Sequence, residues 1–198
     1  MFPCPLFFLL SMPFSHSLKF HCKALQDQTR LLLLQLELEE ATGETNRFLD
    51  LSLMQTIARC IENGTMPCLR VAQKLRKDFD VSERRWYHAK IRVLAKCGAW
   101  GELKRFSEEK RSPVGYVPFA DAYIRGGKSK EAAAMIALIK SEDQRLNKLE
   151  DNKQWIEAAL LASKMGAPHR VKEIYFACGS PAIQEEVQVL ARKVGIRL

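Results

Sequence analysis

Histidine is scarce in this chain, four in 198 residues, and none stands near a nucleophile in a recognisable catalytic spacing. The ten glycines form no GxGxxG and no phosphate-cradling GxxxxGK[ST] loop, and neither GxSxG nor HExxH occurs. Carboxylate pairs such as Glu108-Glu109 stand in charge runs of the kind that face water. These absences argue against an enzyme, so no catalytic residue, cofactor or metal ligand is assigned. The six cysteines contain no CxxC pair and no histidines at zinc-finger spacing; His88 and His169 stand alone. Free thiols in a reducing compartment are the expected state, with Cys60, Cys97 and Cys178 read as buried near helix ends. Asn63-Gly64-Thr65 matches a glycosylation sequon, which matters only in a secreted chain.

Strand-like alternation is also missing, and so is a membrane-spanning run. The apolar opening MFPCPLFFLLSMPF is broken by three prolines and is too short to cross a bilayer as a helix. No Lys or Arg precedes it, as a secretory leader would require. Residues 1–16 therefore read as a disordered, truncated or mis-assigned start, with a secretory leader as the lesser reading.

What is present is helix-forming sequence almost throughout, rich in Ala, Leu, Lys, Glu and Arg. The apolar share of 47% is enough to build a core. The net charge of +8 is concentrated: Met66 to Lys130 holds 16 Lys/Arg against 7 Asp/Glu, and the remainder nearly balances. Such a zone suits an acidic partner, an anionic membrane or nucleic acid; the plainer alternative is a solvated helical face.

Helices are expected from Ser17 to about Glu40, then from Ser52, whose spacing to Gln55 is that of a capping box. Leu53, Ile57 and Ile61 form the stripe of the second, and Gly64 ends it. Pro67 opens a third with Val71, Leu75 and Phe79 as its stripe. Ser82 caps a fourth carrying Trp86, Ala89, Val93 and Cys97. From there LAKCGAWGELKRF, YIRGGKSKEAAAMI and ASKMGAPHRVKEIYF each place a glycine between two helices, at Gly98, Gly127 and Gly166, with Asp151-Asn152 at a similar turn. One helical hairpin cannot bury its apolar face, whereas stacked neighbours can. The fold class is therefore all-α, an α-solenoid of stacked hairpins over residues 17–198, with Ala132, Ala133, Ala158 and Ala159 allowing close helix approach.

The stretch Ser82 to Phe119 interleaves Trp86, Tyr87 and Trp100 with dense basic residues. The tryptophans read as core. Arg84, Arg85 and Arg92 are candidate partner contacts, since interface hot spots favour Arg. Tyr87 is a weaker candidate, one residue off the Trp86 stripe. Met135 and Leu138 join them because the helix from Lys128 to Ile139 carries more apolar surface than one stripe needs. Ser112 to Tyr116 is an extended connector that sets the angle between hairpins.

Several segments resemble the C-terminal helical domain of the vacuolar protein sorting 16 family: FLDLSLMQTI, AQKLRKDFDVSERRWYHAKIRVLA, WGELKRFSEEKRSPVGYVPF and GGKSKEA. A WxxLxxF helix followed by SPxGYxPF is the most specific combination. The match is best over residues 18–140 and weakens after Ser141. Members of that family are much longer and carry an N-terminal β-propeller that is absent here, so a fragment or a short isoform is implied. The resemblance implies a non-enzymatic subunit of the HOPS and CORVET endosomal tethering complexes, cytoplasmic and peripheral on late endosomes and the vacuole or lysosome. It implies a Sec/Munc-type vacuolar sorting subunit as partner, with the other HOPS and CORVET subunits. Contact with SNAREs and with the endosomal membrane would be indirect. Nucleic acid is not an expected partner. The rival is a basic helical-repeat RNA-binding protein, against which stands the lack of one basic residue per repeat.

Overall fold

The computed structural model describes residues 14–109 and 112–196, and every regular element among them is an α-helix. The expectation for residues 1–16 falls, up to residue 13, outside the described residues. No helix among the described residues is long and apolar enough to cross a membrane. The residues divide into two compact units, one ending at Ser82 and the other beginning at Glu83.

The first unit holds α1 (Phe14–Thr42), α2 (Leu53–Asn63) and α3 (Met66–Asp78). Leu34 and Leu38 of α1 point inward, while Leu33 and Leu36 of the same leucine run face solvent. Gln35 is fully buried, its amide donating to the Leu51 carbonyl and to Thr56 Oγ1, each at 2.7 Å. Arg30 ties α1 to α3 by an ion pair to Asp78 at 2.7 Å. The Ser52–Gln55 capping box forms, with the Ser52 backbone N–H donating to Gln55 Oε1 at 2.9 Å. Gly64 ends α2 at φ +70°, so the Asn63-Gly64-Thr65 triplet is the reversal between α2 and α3. The buried stripe of α3 is Cys68, Ala72 and Leu75, turned from the expected Val71, Leu75 and Phe79 because α3 packs on both α1 and α2.

The loop after α1 is clasped by one carboxylate. Glu39 accepts the backbone N–H groups of Phe48 (2.8 Å), Leu49 (3.0 Å) and Asn46 (3.0 Å). These bonds, the one from Phe48 foremost, hold its carboxyl below the usual glutamate value against a smaller opposing effect of desolvation. They also seat Phe48, which is fully buried.

The second unit holds α4 (Glu83–Lys96), α5 (Trp100–Glu108), α6 (Val117–Arg125), α7 (Ser129–Ala137), α8 (Glu142–Asp151), α9 (Trp155–Lys164), α10 (Pro168–Ala177) and α11 (Pro181–Lys193). The three aligned glycines all adopt the left-handed conformation, Gly98 at φ +68°, Gly127 and Gly166 at +67°. At each, the following N–H reaches back five residues: Ala99 to Leu94, Lys128 to Tyr123, Ala167 to Ala162. Lys153 makes the same reversal without glycine, at φ +58°, with Gln154 bonded to the Leu149 carbonyl. The turn expected at Asp151-Asn152 is thus centred one residue later. Its strain is offset where Asn152 Nδ2 donates to the Ser129 carbonyl (3.1 Å) and to Gln154 Oε1 (2.8 Å).

Helices next to each other or one apart supply the main packing: α4 on α5 and α6, α6 on α7 and α8, α9 on α10 and α11. Ala132, Ala158, Ala159 and Ala162 are buried in these seams, and Ala133 is only half-buried. Cys60, Cys68 and Cys178 are buried, but Cys97 is exposed. It follows the last residue of α4, where the chain has already turned off the buried stripe.

Two outcomes follow. Glu39→Gln removes the charge from the clasp, so Phe48 and Leu49 amides exchange faster with deuterium than in the parent. In the parent, this contribution is complete above the unfolded glutamate value of about 4.3. It fades as pH falls through the lowered folded value, and amide exchange followed against pH would read it. Among the thiols, a soluble maleimide labels Cys22 and Cys97 in the folded chain and spares Cys60, Cys68 and Cys178. Burial, and then the neighbouring Cys68, pushes the Cys60 thiol up to about 12, which denies it the reactive thiolate.

Candidate functional site

Helix α4 segregates its residues sharply. Trp86, Tyr87, Ile91, Val93 and Leu94 are buried, and Arg84, Arg85, His88, Arg92 and Lys96 are exposed on the opposite arc. At 100° per residue these five fall within about a third of the helix circumference, so the fold gathers the basic residues onto one face. Neither Arg85 nor Arg92 meets a carboxylate among the described residues. Arg84 leans the other way, its Nε donating to the Pro113 carbonyl of the connector at 3.4 Å.

The buried side of α4 is fastened by aromatic rings. Tyr87 packs on Phe106 of α5 at 4.6 Å between centroids, and Phe106 on Phe119 of α6 at 5.9 Å. The Lys90 ammonium lies over the Phe106 ring at 4.0 Å. Tyr87, expected among the partner contacts, is therefore a core residue, because α4 buries a second edge against α5 that a single stripe does not anticipate. Met135 is buried as well, and Leu138, just past the end of α7 and 49% exposed, faces solvent. Leu138 lines a cavity with Val114, Gly115 and Tyr116 of the connector. The structure thus keeps Arg84, Arg85, Arg92 and Leu138 on the surface and withdraws Tyr87 and Met135.

A groove of about 500 Å³ runs between α4 and α6. Helix α4 contributes His88, Ile91, Arg92, Ala95 and Lys96, and α6 contributes Pro118, Asp121, Ala122 and Arg125. Trp100, the first residue of α5, lies where the two helices finish. It stacks on Tyr123 at 5.8 Å and passes across Gly126. A Cβ at Gly126 would stand 2.2 Å from one ring carbon of Trp100 and 2.6 Å from another. The Gly126-Gly127 pair therefore has two separate causes, close approach of the indole at the first and a left-handed backbone at the second.

The charge of the groove is cationic. Asp121, its one carboxylate, is paired to Lys148 of α8 at 2.7 Å, and Lys148 also binds Asp151 at 2.7 Å. Desolvation works against the Lys148 charge, but the hydrogen bonds to Asp121 and Asp151 carry its value above the ordinary lysine one. Arg92 and Arg125 have no such partner among the described residues. The groove and the arginine arc were only half visible in sequence. The basic residues could be counted there, but the α6 wall and the part of Gly126 lie about thirty residues further on. Among the described residues no three His, Cys, Asp or Glu side chains gather as a metal site.

Comparison with known proteins gives a consistent answer. A family model described as Vps16, C-terminal region, matches residues 13–193. Protein VACUOLELESS1 of Arabidopsis thaliana is 39% identical over 117 residues, which are 59% of this chain and 13% of that protein. The vacuolar protein sorting-associated protein 16 homolog of Dictyostelium discoideum is 36% identical over 117 residues, 59% of this chain and 14% of that protein. Vacuolar protein sorting-associated protein 16 of Saccharomyces cerevisiae is 28% identical over 157 residues, 76% of this chain and 18% of that protein. The chain spans less than a fifth of the length of these curated relatives.

Gly126→Ala forces the indole of Trp100 out of its seat and lowers stability by about 1–3 kcal/mol, the usual scale for overpacking. Thermal melting followed by tryptophan emission reads both effects. In a Trp100→Ala background the same substitution costs much less, since the three atoms nearest the new methyl all belong to that ring.

Proposed function

Since this chain belongs to the Vps16 C-terminal region family, we propose that it is a non-enzymatic helical scaffold subunit of a vacuolar and endosomal tethering complex. Its stacked hairpins form a solenoid whose surface recruits a Sec/Munc-type subunit. Other subunits of HOPS or CORVET assemblies join through the same chain, which acts from the cytoplasm at the late endosomal or vacuolar membrane. SNAREs and the membrane are reached through the partner rather than directly. The observation that carries this reading is the exposed arginine arc of α4, which lies within the residues 13–193 that the family model matches. Arginines held on a rigid helix offer planar, multidentate hydrogen bonding with little further ordering to be done on association. Leu138 supplies an apolar contact near the connector.

The burial of Trp86 and Tyr87 works against an RNA-binding alternative, because stacking on bases requires exposed rings. A pull-down of the full chain against the Sec/Munc-type subunit of the same organism, in moderate salt with nuclease present, tests the proposal. Saturable, nuclease-resistant binding is expected. The Arg84→Glu/Arg85→Glu double variant should weaken it by about tenfold or more, since an interface residue that contributes costs more than about 1 kcal/mol when lost, with helical circular dichroism unchanged. Absence of binding, with RNA co-purifying in a parallel sample that receives no nuclease, would replace the scaffold reading with the nucleic-acid one.

A further inference from the structure

We propose that the groove between α4 and α6 is a docking site for a short acidic segment of a partner protein, anchored by an apolar side chain. The groove joins two kinds of surface. Its floor is apolar, built from the buried Ile91 and Ala122 and the half-buried Ala95, Trp100 and Pro118. Its rim is cationic, with Arg92 and Lys96 exposed on α4 and Arg125 exposed on α6.

Charge complementarity selects the occupant. Two helix C-termini finish at one end of the groove, and each brings roughly half a negative charge. Arg92, Lys96 and Arg125 bring three positive charges, more than that sum together with the one net negative charge of Lys148 held between Asp121 and Asp151. Arg92 and Arg125 have no carboxylate within the described chain, so a carboxylate brought from outside displaces no existing ion pair at either residue.

Length sets the size of the segment. His88, Arg92 and Lys96 lie at i, i+4 and i+8, about 12 Å along the helix axis. That distance accommodates about four residues of extended chain. Two acidic side chains flanking one leucine or phenylalanine would satisfy rim and floor together. RNA fits less well, because the Trp100 ring already packs against Tyr123 and Gly126, which limits the face it can offer a base. A lipid headgroup would match the cations and leave the apolar floor unused.

The inference does not rest on which subunit the arginine arc recruits, and the two readings are separated by their variants. Arg92 belongs to both surfaces, so Arg84→Glu/Arg85→Glu reads the earlier one and Arg125→Glu alone, on α6, reads this one. The test is selection of random displayed twelve-residue peptides on the immobilised full chain, followed by fluorescence-anisotropy titration of the enriched sequence as a labelled synthetic peptide. An enriched pattern of Asp or Glu around one bulky apolar residue is expected. Its affinity should fall about tenfold or more in Arg125→Glu, as for lost charge-assisted hydrogen bonds. It should hold in Lys172→Glu, an exposed charge of α10, and fall with added salt. Enrichment of neutral or basic peptides would overturn the proposal. So would an acidic peptide that binds the Arg125→Glu variant as tightly as the parent, or displacement of the peptide by poly(U) RNA or phosphatidylserine vesicles but not by an excess of the same peptide unlabelled.

Discussion

The second unit depends on one small piece of backbone geometry: a helix ends, one residue goes left-handed, and the next N–H returns five residues to close the last turn. Without that reversal a helix of nine or ten residues would run on into solvent with its apolar stripe uncovered. With it, α5, α7, α9 and α10 are each folded back beside their predecessors, and terminal carbonyls that would otherwise need water are bonded. Where glycine occupies the reversal the geometry costs little. Where Lys153 occupies it, the side chain of Asn152 supplies extra bonds to a neighbouring helix.

Much of this could be read in advance. The glycines at 98, 127 and 166, the capping box at Ser52 and the helix stop at Gly64 each announce local backbone states that depend on few neighbours. Stripes were read less well. Cys97 and Val71 sit at helical spacing from buried residues, yet lie off the true contact lines, because helices that touch two neighbours bury a broader and rotated arc. Gln35 was not foreseen either, as a buried amide makes sense only once the Leu51 carbonyl and the Thr56 hydroxyl are seen to receive its hydrogens.

The exposed basic face of α4 shows the same division. Counting charges along the chain locates a cationic region but cannot tell which cations are already answered. Lys148 is held between two aspartates and Arg170 by Glu150, whereas Arg92 and Arg125 look outward. The aromatic residues that made the segment 82–119 conspicuous turned out to hold helices together rather than to greet a partner. Tyr87, Phe106 and Phe119 form one line of ring contacts, and Trp100 with Gly126 closes the end of the neighbouring seam.

The packing of each helix chiefly on neighbours no more than two elements away has a kinetic side. Contacts between segments close in sequence require only short loops to close, so little entropy must be lost before the first contacts stabilise the chain. A hairpin can form as soon as its second helix is available and then template the next. Synthesis from the N-terminal end therefore delivers helices in the order in which they are used, and damage to one hairpin would be felt first by those on either side of it.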